Sequence, residues 1–143
     1  MKEEFDKKDI FGLGNTNDAF AQYFIGQSYL NPLTKKEDYV PIANVTFEPN
    51  CRNNWHIHNT KYPVGQILIA VNGLGVYQEE GKEPVIMKPG DIIEIPSGVK
   101  HWHGSFPGHW FSHLAFSLPD EGSNTEWLEE VNDEEYNQLK ERV

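Results

Sequence analysis

Six histidines fall between positions 56 and 113 of this chain, and four of them form two His-x-His pairs, His56/His58 and His101/His103. On an extended strand, residues i and i+2 point to the same face, about 6–7 Å apart. Each pair can therefore aim two imidazoles into one cavity, and imidazole is the commonest protein ligand for zinc, iron, manganese, nickel and copper. One such pair alone is more readily two surface histidines. Two pairs on strand-like segments point instead to a metal centre. The single cysteine, Cys51, excludes a cysteine-rich tetrahedral site and any disulfide within this sequence. It reads as an ordinary thiol beside a strand and fits a reducing, cytoplasmic location.

The elements that must position these histidines are short strands. Stretches with β-character run over 20–30, 40–48, 55–58, 66–71, 75–79, 85–87, 92–95, 100–104 and 110–118; most are rich in Val, Ile, Phe, Tyr or Trp, and most alternate in polarity. Turn signals separate them, among them Asn31-Pro32, Asn72-Gly73, Pro89-Gly90-Asp91 and Pro96-Ser97-Gly98. Many short strands at near-regular spacing predict an all-β sandwich or barrel. The final stretch, 124–143, reads as a helical tail. Asn132 and Glu135 form a capping-box pair, and Tyr136, Leu139 and Val143 share one helical face. Residues 1–10 are expected to be a loose charged arm.

With 143 residues the chain fits one domain, 1–143, with its barrel core over 40–118. Twelve basic residues against twenty-two acidic ones give a formal net charge of −10. That field repels nucleic acid and anionic membrane surfaces, so neither is expected as a partner. No stretch approaches the roughly 20 apolar residues of a membrane span, and no secretory signal is visible at the start. Four tryptophans and many aromatics on strand faces suggest a homodimer.

Two segments carry a resemblance. From Asn50 the chain reads N-C-R-N-N-W-H-I-H, then Gln66 and Gly73; from Gly90 it reads G-D-I-I-E-I-P-S-G-V-K-H-W-H-G. These resemble the two motifs of the cupin superfamily. Gly90, Pro96, Gly98 and His101 meet all four positions of the second motif. In the first, Asn50 stands where Gly is usual, a residue Asn can replace at positive φ. Seven residues separate His58 from Gln66, a longer interval than the three or four common in the family. The phrases G-Q-I-L-I-A-V-N-G-L-G and W-L-E-E-V-N-D-E-E-Y are similar to short bacterial cupins, including manganese-dependent hydroxynitrile lyases and cupins related to carboxymuconolactone decarboxylases. The resemblance covers about positions 11 to 140. It implies a double-stranded β-helix, a jelly-roll-like barrel in which strands 55–58, 66–71, 92–95 and 100–104 enclose the site, with a short C-terminal helix.

It also implies one divalent ion held by His56, His58, Gln66 and His101. Manganese is the ion implied; zinc, iron, nickel and cobalt stay open. Three neutral imidazoles and an amide leave the full double charge uncancelled, a strong Lewis acid that welcomes an anionic ligand or substrate. Four protein ligands leave open positions, as a catalytic site requires. His103 shares the face of His101 and is a ligand, a supporting neighbour or an acid/base; in the resembling lyases the matching residue lies beside the metal. His113 either lines the cavity or is a satisfied core histidine, and catalytic roles are assigned to both. His109 reads as a loop residue, and Trp55 and Trp102, which alternate with the ligands, should point away from the metal. Tyr62 is a candidate lid, while Lys61 and Arg52 read as solvated charges or contacts for an anion. The function implied is lyase-like chemistry on a small organic molecule. The alternatives are an iron-dependent oxygenase, an isomerase and a non-catalytic small-molecule-binding module.

Overall fold

Alternation of apolar and polar residues does produce strands here, because each strand has one face to bury. The chain, a computed structural model, is described for residues 1–35 and 39–142; Val143 lies outside the described residues. The strands are β1 (Asn15–Thr16), β2 (Phe24–Ile25), β3 (Ser28–Pro32), β4 (Ile42–Phe47), β5 (Arg52–Asn53), β6 (His56–Asn59), β7 (Val64–Gly73), β8 (Gly75–Glu79), β9 (Val85–Met87), β10 (Ile92–Pro96), β11 (His101–Ser105), β12 (Phe111–Phe116) and β13 (Asn124–Trp127). One sheet runs β1-β3-β4-β12-β7-β10. The second runs β13-β6-β11-β5-β2, with β8 on the other side of β11 and β9 on β8. All pairings are antiparallel. The result is the expected double-stranded β-helix.

One core lies between the sheets: Phe47, Leu68, Met87, Ile95 and Phe111 are fully buried together with Cys51. Each large apolar side chain buried this way contributes roughly 1.5–3 kcal/mol. Burial also pushes the Cys51 thiol up to about 12, so it stays protonated and inert. A second core gathers Trp55, Val76, Trp102 and Phe106 under the C-terminal helix. Trp55 and Trp102 thus point away from the side of His56 and His101, as expected. The helix, Asp133–Asn137, is capped by Asn132, whose Oδ1 accepts from the Glu135 N–H at 2.8 Å, and continues as a tight turn of helix over Gln138–Arg142. Its Tyr136 and Leu139 are buried.

Three expectations need correction. Residues 124–127 are the strand β13, paired with β6, and only the residues after them are helical. Residues 2–8 form a helix, and Asp9 behind it is buried: its carboxylate accepts from the Ser112 hydroxyl, the Phe11 and Gly12 N–H groups and the Asn44 amide. A run of charges with one aromatic hid this helix; Phe5, stacked on Trp110 at 5.4 Å, and Asp9 fix it from outside. Arg52 is not solvated. Its guanidinium donates to the Val131 carbonyl and to Asp133 at 2.7 Å, and lies 4.3 Å over the Tyr136 ring, so it anchors the C-terminal helix to β5.

Among the described residues, no helix is long and apolar enough to cross a membrane.

Candidate metal centre

The histidines meet because β6 and β11 are neighbours with His56 and His101 directly opposite. Their ring centroids are 4.2 Å apart, and His58, two residues along the same face, lies 4.9 Å from His56 and 5.3 Å from His101. Gln66 lines the same cavity from β7. The chain at β5 comes close behind: a side chain at Gly104 would meet the Arg52 backbone at 2.6 Å, so β11 tolerates only glycine there. That close approach brings Asn53 against His103.

Hydrogen bonds orient each ring. The Nδ1–H of His56 donates to the Asn54 carbonyl at 2.8 Å, and that of His101 to the Val99 carbonyl at 2.9 Å. A carbonyl can only accept, so each ring presents Nε2 with a free lone pair, the form a metal takes. The Nδ1 of His58 lies 3.1 Å from the Thr125 hydroxyl. The Nε2 atoms of His58 and His101 are buried without any hydrogen-bond partner. Leaving such atoms unpaired costs about 1–3 kcal/mol each, and a bound cation removes that cost. The donor set therefore fits a divalent ion. Nitrogens of His56, His101 and His103 all lie within 4.8 Å of one another, a three-histidine cluster that could hold it. His58, rather than His103, has the closer ring and the unpartnered nitrogen.

His103 is engaged elsewhere. The Asn53 Oδ1 accepts from the His103 backbone N–H at 2.9 Å, which turns the amide nitrogen toward the ring. That nitrogen donates to Nε2 at 3.1 Å, the shorter of its two ring contacts. Nδ1–H of His103 then donates to Nε2 of His113 at 3.1 Å, and Nδ1–H of His113 donates to the Leu114 carbonyl. One tautomer satisfies the whole chain of bonds. His113 therefore lines the cavity and is fully buried as well. His109 is an exposed loop residue. Tyr62, expected near the cavity, donates to the Pro119 carbonyl and is not among the lining residues.

Burial, far more than neighbouring charge, keeps these rings neutral. It holds His101 down to about 4, against the hydrogen bond to Val99, and it places His113 at about 4. His56 and His103 are pushed well below the ordinary 6.5 by burial first and by neighbouring histidines second. A consequence can be measured on metal-free protein. Below about pH 6.5 the unfolded chain takes up a proton at His113 that the folded chain refuses until about pH 4. Stability should therefore be full above that range and fall as pH drops, by on the order of 2 kcal/mol from His113 alone between about pH 7 and pH 5. Urea titrations at the two pH values, on the chain and on His113→Phe, check this. Equal pH slopes for the two proteins would contradict it.

Three residues of the site were not legible in the sequence: Asn53, Thr125 and Trp127. Trp127 stacks on His56 at 4.6 Å and on Tyr23 at 4.4 Å, closing the cavity beside the cluster. Phe20, Phe24, Leu30, Val45 and Ala115 complete apolar walls around a volume of about 230 Å³.

A double-stranded β-helix with a histidine cluster on neighbouring strands of one sheet defines a cupin barrel with a candidate metal centre. The chain belongs to the cupin family: the family described as the cupin domain matches residues 43–112, and a curated relative supports it over a longer span. That relative, the (R)-mandelonitrile lyase of Granulicella tundricola, is 40% identical over 118 residues, covering 81% of this chain and 87% of that protein. A crystal structure of a cupin-like protein from Thermotoga maritima is 37% identical with a TM-score of 0.79, covering 92% of this chain and 96% of that one. The DMSP lyase DddQ from Ruegeria pomeroyi, 18% identical with a TM-score of 0.57 over 90% of this chain and 60% of that one, shares the fold.

Proposed function

We propose that this cupin is a metal-dependent lyase that cleaves or forms a carbon–carbon bond at the carbonyl carbon of a small molecule with an apolar body. The observation that carries this reading is the cavity itself. Its polar end is lined by His56, His58, His103 and His113, with the His101 ring 4.2 Å from that of His56, and its walls are aromatic and aliphatic. No lysine or arginine is among its lining residues, so a substrate's negative charge would be met only by the ion and the imidazoles.

His56, His58, Gln66 and His101 would hold the ion, and the resemblance to hydroxynitrile lyases favours manganese. A divalent ion bound there supplies Lewis acidity toward a substrate oxygen. His103, neutral because it is buried, is the base. For a cyanohydrin, its Nε2 gives up the Asn53 hydrogen bond and takes the hydroxyl proton. The C–CN bond breaks, its electron pair leaves with the cyanide, and an aldehyde remains. The proton then passes from Nε2 to the cyanide carbon, regenerating the neutral ring. His113 holds the opposite nitrogen, so the ring keeps its orientation through the cycle. The apolar walls suit a ring-sized body, in keeping with the aromatic cyanohydrin for which the relative from Granulicella tundricola is named.

The test is direct. Manganese-loaded protein should release benzaldehyde from (R)-mandelonitrile, followed by its absorbance, and protein stripped by chelation should not. Equal rates with and without the ion, or no release above the buffer rate, would sink the proposal.

A homodimer is proposed on the aromatic content and on β10, an edge strand whose Ile92 is 61% exposed. Light scattering should give twice the chain mass; a monomer mass at high concentration would count against it.

A further inference from the structure

Three imidazoles of the proposed centre are held at Nδ1 in two different ways. His56 and His101 each use a backbone carbonyl two residues earlier on their own chain segment, Asn54 and Val99. Those partners come with the local backbone and can only accept. His58 has no such carbonyl. Its Nδ1 meets the hydroxyl of Thr125, 67 residues away on β13, at 3.1 Å. The strand register explains the meeting, because Thr125 is paired directly with His58 and Trp127 directly with His56. A hydroxyl can donate or accept, so it fits either tautomer of His58. With a cation on Nε2, the proton must sit on Nδ1 and Thr125 must accept it. The same strand stacks Trp127 on His56 at 29° from parallel, with Tyr23 stacked on Trp127 at 5°.

We infer that β13 is a working part of the metal centre, with Thr125 as the positioning residue for His58. The claim rests on the ligand reading given above. Hydrogen-bond partners of metal-bound histidines fix ring orientation and ligand basicity, and losing one typically costs about 10–100-fold in affinity. Thr125→Val keeps the shape of the side chain and its β-propensity but cannot accept the proton. Thr125→Ser keeps the hydroxyl.

The probe is Zn(II), titrated into chelator-stripped full-length protein in competition with a chromophoric chelator. Thr125→Val should bind about 10–100-fold more weakly than the unsubstituted chain, and Thr125→Ser within about 3-fold of it. Nitrogen NMR of the histidine rings in the Zn(II)-saturated proteins supplies a readout that a general loss of stability would not move. The His58 Nδ1–H signal should persist in the unsubstituted chain and in Thr125→Ser, and exchange faster in Thr125→Val. Affinity unchanged in Thr125→Val, or lowered equally in both variants, overturns the role of Thr125 and leaves the centre standing. If the unsubstituted chain itself takes up no Zn(II), the metal reading falls and this inference falls with it.

Discussion

Replacing His101 by alanine is expected to empty the metal centre and to abolish any activity that depends on it. His101 stands directly across the ladder from His56 and has the second of the two buried, unpartnered Nε2 atoms. Its ring is already in the metal-binding tautomer because the Val99 carbonyl fixes the proton on Nδ1. Removing it takes away one of three proposed imidazole ligands, and the remaining nearby imidazole, His103, has its nitrogens engaged by Asn53 and His113. Affinity should fall by at least about 100-fold, more than for loss of a supporting hydrogen bond. The readouts are metal content after dialysis and the melting temperature with and without added ion. An ion that binds only the folded chain raises the melting temperature of the unsubstituted protein; His101→Ala should show no such rise. A variant that kept one ion per chain would remove His101 from the ligand set.

His103→Ala should behave differently. Its Nε2 is occupied by the Asn53 amide and its Nδ1 by His113, so it contributes to the centre from behind. The ion should stay, held by His56, His58, Gln66 and His101, while turnover drops about 10²–10⁴-fold, as expected for a lost acid/base. Parallel metal analysis and single-turnover kinetics separate the two effects. The competing outcome is specific: His103 nitrogen lies close enough to those of His56 and His101 to form a three-way cluster. If His103→Ala loses the ion as fully as His101→Ala does, His103 is a ligand, and the place of Gln66 in the coordination sphere must be given up or shared.

How much of this was legible in the sequence depends on the range of the contacts. The His-x-His pairs announced themselves, because strand periodicity alone puts His56 with His58 and His101 with His103. The motif residues around them are turn formers with a local job: Asn50 (φ 70°), Gly90 (φ 96°) and Gly98 (φ 82°) all take the left-handed backbone their positions suggested. The capping box at Asn132 was equally local. What stayed hidden was long-range. N-T-E-W, inside an acidic stretch, reads like the approach to a helix, and only its pairing with β6 makes it a strand. Asn53 belongs to a two-residue strand too short for any periodicity. Arg52 looked solvated because its partners, Val131 and Asp133, lie about eighty positions later. Asp9 looked solvated for the same reason, since Ser112 is 103 residues away.

The pairing of β13 with β6 also sets an order of events during synthesis. A growing chain that has reached residue 105 already contains all three proposed imidazole ligands and both strands, β6 and β11, whose pairing brings two of them together in the folded chain. It lacks Thr125 and Trp127, so the His58 Nδ1 has no hydroxyl partner and His56 lacks its stacked tryptophan. Contacts this distant in sequence form late, after the loops between them have closed. If the proposed centre takes an ion, a nascent chain should hold it loosely at first and secure it only once residues 124–127 have emerged and paired with β6.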